Sequence, residues 1–67
     1  MMHCIINGDN FTFENPLNIQ EVLQTLGLDE KRVIVEHNKK LIKQNQFQNH
    51  IVNDKDCLEL LEFVGGG

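Results

Sequence analysis

Apolar and polar positions change period along this chain, and each change marks an element. Met2-His3-Cys4-Ile5-Ile6 is an apolar run of strand length. Asn7-Gly8-Asp9-Asn10 follows; Asn and Gly accept positive φ, so a tight hairpin turn is predicted there. Phe11-Thr12-Phe13-Glu14 then alternates apolar and polar, as a half-buried strand does. Asn15-Pro16 breaks that strand. Beyond it, Ile19, Val22, Leu23 and Leu26 recur at i, i+3, i+4 and i+7, one face of a helix. Asn18 stands as its N-cap with Glu21 three residues on, the capping-box spacing, and Leu17 can pack on Val22 as a staple. Gly27 supplies a left-handed stop, and Leu28 can cover the last turn.

The second half reads as strands again. Asp29 to Arg32 is a charged loop, and Val33-Ile34-Val35-Glu36-His37 is a β-branched strand. Asn38-Lys39 turns it into a short strand at Leu41-Ile42. Lys43 to His50 is a polar connection in which Phe47 is expected to tuck inward. Ile51-Val52 is a brief apolar touch, and Asn53-Asp54-Lys55-Asp56 a polar turn. The last strand is expected over Cys57 to Val64, with Leu58 and Leu60 facing the core. Glu59, Leu61 and Phe63 then face the other way. The expected core is Met2, Cys4, Ile6, Ile19, Val22, Leu23, Leu26, Val35, Leu58 and Leu60.

One helix with one apolar face must cover one face of a sheet. First and last strands pairing centrally in parallel would both receive the burial such strands require. The fold class is therefore α+β, a ubiquitin-like β-grasp: a mixed four- to five-stranded sheet with one main helix packed on one face.

Size and charge narrow the function. The 67 residues make one domain, expected at 1–64, with a flexible glycine tail at 65–67. A net charge of −4 disfavours nucleic acid and anionic membranes and suits a basic groove on a protein partner. Lys31-Arg32 and Lys39-Lys40 are read as solvated turn residues. No basic-apolar leader and no membrane-spanning run is seen, so a cytoplasmic location with reduced thiols is expected. Cys4 and Cys57 each sit in an apolar run and are read as small core or near-core residues. His3, His37 and His50 lack metal-ligand spacing and are read as surface or turn residues.

The chain closes with Gly65-Gly66-Gly67 directly after an apolar strand. Glycine has no side chain to pack and loses the most entropy on ordering, so the group of interest there is the α-carboxylate beyond Gly67. Together with "VIVEHNKKLI" and "NHIVNDKDCLELLEFV", this ending resembles the ThiS family of thiamin-biosynthesis sulfur carriers over the whole chain. The resemblance implies a carrier rather than an enzyme, with no catalytic residue, no metal and no permanently bound cofactor. It implies that an E1-like adenylyltransferase activates the Gly67 carboxylate with ATP. Sulfur drawn from a cysteine desulfurase would then give a thiocarboxylate, delivered to thiazole synthase. Gly66 belongs to the essential pair, while Gly65 lengthens the arm. Leu61 and Phe63, beside that arm, are expected to seat partners, with Glu59 and Glu62 steering approach. Two other readings stay open: the small thiocarboxylate subunit of molybdopterin synthase, and a ubiquitin-like protein modifier.

Overall fold

The structure, a computed structural model, describes residues 1–64. The glycine tail expected at 65–67 lies outside the described residues.

Strand β1 (Met2–Ile6) buries alternate residues, and β2 (Asp9–Phe13) pairs with it antiparallel. Ile6 lies opposite Asp9, which leaves Asn7 and Gly8 as a two-residue loop with φ of 51° and 85°. Two consecutive positive φ values make a type I′ turn, whose twist matches the strands it joins.

Helix α1 (Ile19–Thr25) starts on the expected capping box. The Glu21 N–H donates to Asn18 Oδ1 at 2.7 Å, and the Asn18 N–H donates to Glu21 Oε1 at 2.9 Å. Its end is a Schellman turn. Gly27, at φ 74°, donates to the Gln24 carbonyl at 3.1 Å, and Leu28 donates to the Leu23 carbonyl at 2.9 Å. The helix is only seven residues long. Leu26 is therefore its C-cap, packed half-buried at the core's edge, while Ile19, Val22 and Leu23 are fully enclosed.

The main sheet has five strands in the order β2-β1-β7-β4-β5, with β4 (Val33–His37), β5 (Lys40–Ile42) and β7 (Cys57–Glu62). β1 and β7 pair parallel at its centre, and β4 runs antiparallel to both β7 and β5. A second, two-stranded ladder joins β3 (Leu17–Asn18) to β6 (Ile51–Val52). The chain at Leu17 is thus a strand as well as a helix entry, and Ile51-Val52 is its partner. Phe47 is buried as expected, and Val33, Ile42 and Val52 join the core. The charged segment after the helix forms a single 3₁₀ turn, Glu30–Arg32, capped by Asp29.

Two expectations are corrected. The last strand ends at Glu62, not Val64, although the Phe63 N–H still donates to the Arg32 carbonyl at 2.9 Å. Cys57 is exposed, not near-core, because Leu58 and Leu60 take the inward positions and period two turns Cys57 outward. Cys4, by contrast, is buried, and burial pushes its thiol pKa up.

Among the described residues no helix is long and apolar enough to cross a membrane.

Candidate functional site

The helix covers one face of the sheet and leaves the other open. Every large apolar residue on that open face has its place set by strand parity. On β7, Leu61 is 65% exposed, and Phe63 just beyond the strand is 44% exposed. Ile34 of β4 lies directly opposite Leu61 and is also exposed. Leu41 on β5 and Ile5 on β1 widen the apolar surface across the neighbouring strands. Together these exposed side chains make this open face the candidate interaction surface.

Acidic groups border it. Glu36 and Glu59 are register partners on β4 and β7, so two carboxylates sit side by side on the open face. Together with Asn7, Ile34 and Leu61 they line a shallow concavity. Like charges directly opposite repel, and a cation from a partner would relieve them. Glu62 has the opposite parity. It lines a separate recess on the helix side, with Asp9, Phe11, Leu26 and Leu28. Glu59 therefore shares a face with Leu61 and Phe63, and Glu62 does not. The sequence reading missed Ile34, Leu41 and Glu36. The outward parity of a strand whose inward residue is Val35 would have found Ile34 and Glu36.

At the other end of β7 a polar network closes the sheet. His37 Nε2 meets Asp56 Oδ2 at 2.6 Å, and His37 Nδ1 meets His50 Nε2 at 2.6 Å. The Asn53 N–H donates to Asp56 Oδ2 at 2.8 Å, and Asn38 Nδ2 donates to Asp56 Oδ1 at 3.2 Å. Burial works against the charged Asp56, yet the hydrogen bonds from Asn53, His37 and Asn38 outweigh it and hold the carboxyl below its usual range. Burial lowers the His50 pKa, with His37 and Lys40 adding to the effect against Asp56. The expectation of scattered surface histidines is corrected here: His37 and His50 are half-buried and bonded to each other. Only His3 is well exposed; its N–H donates to Asp54 Oδ1 at 2.7 Å. That backbone bond is the main reason the Asp54 carboxyl lies below its usual range, against a smaller opposing effect of burial.

His37 uses its two ring nitrogens on two different partners, so the network has no common centre for a cation. Among the described residues no group of three or more His, Cys, Asp and Glu is arranged to hold a metal. Among the described residues no Thr or Cys side chain is hydrogen-bonded to a histidine or carboxylate either. What it offers is an apolar, acid-bordered face on the strand that leads to the C-terminal glycines.

The family model described as "ThiS family" matches residues 4–67. The sulfur carrier protein ThiS of Bacillus subtilis is 41% identical over 63 residues, covering 92% of this chain and 96% of its own. A thiazole synthase of Paramagnetospirillum magneticum is 35% identical over 66 residues, 98% of this chain; the chain spans 20% of that protein's length. The crystal structure of the thiamine biosynthesis protein ThiS from Geobacter metallireducens superposes with a TM-score of 0.83 at 33% identity, covering 98% of this chain and 100% of that one.

Proposed function

The chain belongs to the ThiS family, and from that premise we propose that it is a sulfur carrier of thiamin biosynthesis whose working group is the α-carboxylate of Gly67. A C-terminal carboxyl has a pKa of about 3.3–3.7, so it is ionised at neutral pH. Bound by an E1-like adenylyltransferase, one of its oxygens attacks the α-phosphorus of ATP and pyrophosphate leaves. The acyl-adenylate is an activated carbonyl. A persulfide, drawn ultimately from a cysteine desulfurase, adds to it and AMP leaves, giving an acyl disulfide; a thiol then cleaves the S–S bond, so the thiocarboxylate stays on the carrier and the thiol departs in a disulfide. Thiazole synthase then takes that sulfur. The carrier is a protein co-substrate: the partners bind ATP and supply the catalytic groups. The cytoplasm, where thiols such as Cys57 stay reduced, is its proposed compartment.

The observation that carries this reading is that the family match runs through Gly65, Gly66 and Gly67, where the chemistry would occur. Glycines keep the arm thin enough for its backbone to enter a narrow active site. The thiazole synthase relative supports the choice of acceptor, since a stretch similar to this chain makes up 20% of a protein of that name. The open face supports the docking role. Leu61 and Phe63 would seat the partner, Ile34 would extend the contact, and Glu59 with Glu36 would meet basic groups.

The test is intact-mass spectrometry after incubation with ATP, the adenylyltransferase and a desulfurase-fed sulfur source. An oxygen-to-sulfur increase confined to the C-terminal peptide is expected. A chain that stays unmodified while the partner consumes ATP normally on another carrier would refute the reading.

A further inference from the structure

β7 outruns its parallel neighbour. β1 ends at Ile6, paired with Leu58, and the Asn7 N–H makes the last backbone bond on that flank, to the Leu58 carbonyl at 2.9 Å. On the other flank β4 continues alongside as far as Val33 opposite Glu62, and the Arg32 carbonyl holds the Phe63 N–H. The N–H and C=O of Leu60 point toward the flank that β1 has already left. One side chain takes both. The Leu60 N–H donates to Asn7 Oδ1 at 2.7 Å, and Asn7 Nδ2 donates to the Leu60 carbonyl at 3.0 Å. These two partners fix which way round the amide lies, since only one orientation satisfies both.

We infer that Asn7 is a positioning residue: its amide stands in for the missing strand at Leu60 and fixes the direction in which the chain leaves the sheet beyond Phe63. The consequence for sulfur transfer rests on the function proposed above. Leu61 and Phe63 seat the partner, and the carboxylate lies only four residues past Phe63. A small change of exit angle at Leu60 moves that carboxylate away from the reacting phosphorus, where rate is sensitive to small displacements. Asn7 acts through the strand and touches no reacting atom.

The turn role of Asn7 can be separated from the clamp. Its φ of 51° suits glycine at least as well as asparagine. Asn7→Gly therefore keeps the type I′ turn and removes both bonds. Asn7→Asp keeps a favoured Asp-Gly turn and the bond from the Leu60 N–H, but sets a carboxylate oxygen against the Leu60 carbonyl.

The experiment has two arms. Amide exchange and N–H residual dipolar couplings need no partner. In Asn7→Gly the Leu60 amide is expected to exchange about fivefold faster or more, with the helix amides of Val22 and Leu23 unchanged. The couplings of Phe63 and Val64 are expected to change in both variants. In the second arm, the saturating rate of thiocarboxylate formation falls about fivefold while KM for the adenylyltransferase stays within about twofold. A purely structural role would instead lower helix protection and the melting temperature. Unchanged Leu60 exchange in the glycine variant, unchanged couplings at Phe63 and Val64, or an unchanged saturating rate would each overturn the inference. If wild-type chain takes up no sulfur, the proposed function falls, while exchange and couplings still decide whether Asn7 sets the exit.

Discussion

His37 and His50 face each other through Nδ1 and Nε2 at 2.6 Å, with their ring planes at 90°. A single hydrogen fits between those nitrogens. Asp56 occupies the far nitrogen of His37, so with both rings charged two N–H groups would meet between them and the contact would break. His50 accordingly has its pKa lowered from 6.5, first by burial and then by His37 and Lys40. The sign follows: the unfolded chain takes up this proton before the folded one, so the contribution is complete above about pH 6.5 and is lost as pH falls below it. Asp56, lowered from 3.8, adds stability that survives until pH falls through its depressed folded value. The melting temperature is expected to drop between about pH 7 and pH 5 in wild type. The slope should flatten in His50→Gln. Equal slopes in the two proteins would show that the pair does not titrate this way.

The enclosed helix face makes a separate prediction. Leu23 has no exposed surface, and Leu26 sits half-buried at the core's edge. Leu23→Ala should cost about 2–5 kcal/mol, a large share of the stability of a domain this small. Leu26→Ala should cost clearly less, because water already reaches that site. Urea titrations of both variants give the comparison. Equal costs would contradict the packing described.

Gly27 isolates a backbone effect. A Cβ added there would meet nothing within 4 Å, yet φ is 74°. Gly27→Ala should therefore lose about 1–2 kcal/mol from the left-handed conformation alone, with no steric share. Asn18→Ala, at the opposite end of the helix, should lose about 0.5–2 kcal/mol with the capping box. Chemical denaturation of the two variants checks both values, and a neutral Gly27→Ala would mean the helix ends differently in solution.

Local chemistry made much of this fold legible. The capping pair Asn18 and Glu21, the stop at Gly27 and the Asn7-Gly8 turn each act within a few residues of themselves, so their spacing carries the signal. Alternation in β7 placed Leu58 and Leu60 inward and Leu61 and Phe63 outward. The same parity should have placed Cys57 outward, but the apolar run around it suggested a core position. What stayed hidden was long-range. His37 reaches His50 across 13 residues and Asp56 across 19, and Asn7 reaches Leu60 across 53. The Glu36–Glu59 pair exists only through strand register. The β3–β6 ladder is two residues long on each side and is set by tertiary pairing, with no hydrophobic period to announce it.

The tail prediction follows from chain geometry. Deleting Gly67 should leave the melting temperature unchanged, since none of its side chain exists to pack. It would pull the terminal carboxylate back by about 3.3–3.6 Å. That exceeds what a near-attack geometry tolerates, so thiocarboxylate formation should collapse. Normal sulfur loading of the shortened chain would remove Gly67 as the modified residue.

The open face carries the last prediction. Leu61 and Phe63 are 65% and 44% exposed, so replacing both with Ser takes away apolar area that the free fold buries only in part, more of it at Phe63. The free protein should stay folded with a lowered melting temperature, so binding is compared well below it. In a complex the same two side chains would be desolvated beside the entering tail, where apolar groups contribute most to affinity. The double variant should therefore bind the adenylyltransferase and the thiazole synthase about tenfold or more weakly, mostly through faster dissociation. Ile34→Ser tests how far the surface extends, because Ile34 is the register partner of Leu61 on the neighbouring strand. Glu36→Gln with Glu59→Gln should act differently. Losing the two carboxylates should slow association and flatten its salt dependence, with dissociation changed less. Titration calorimetry and stopped-flow association separate the two effects. If the folded Leu61→Ser, Phe63→Ser chain binds the adenylyltransferase as wild type does, this face is not where the carrier docks.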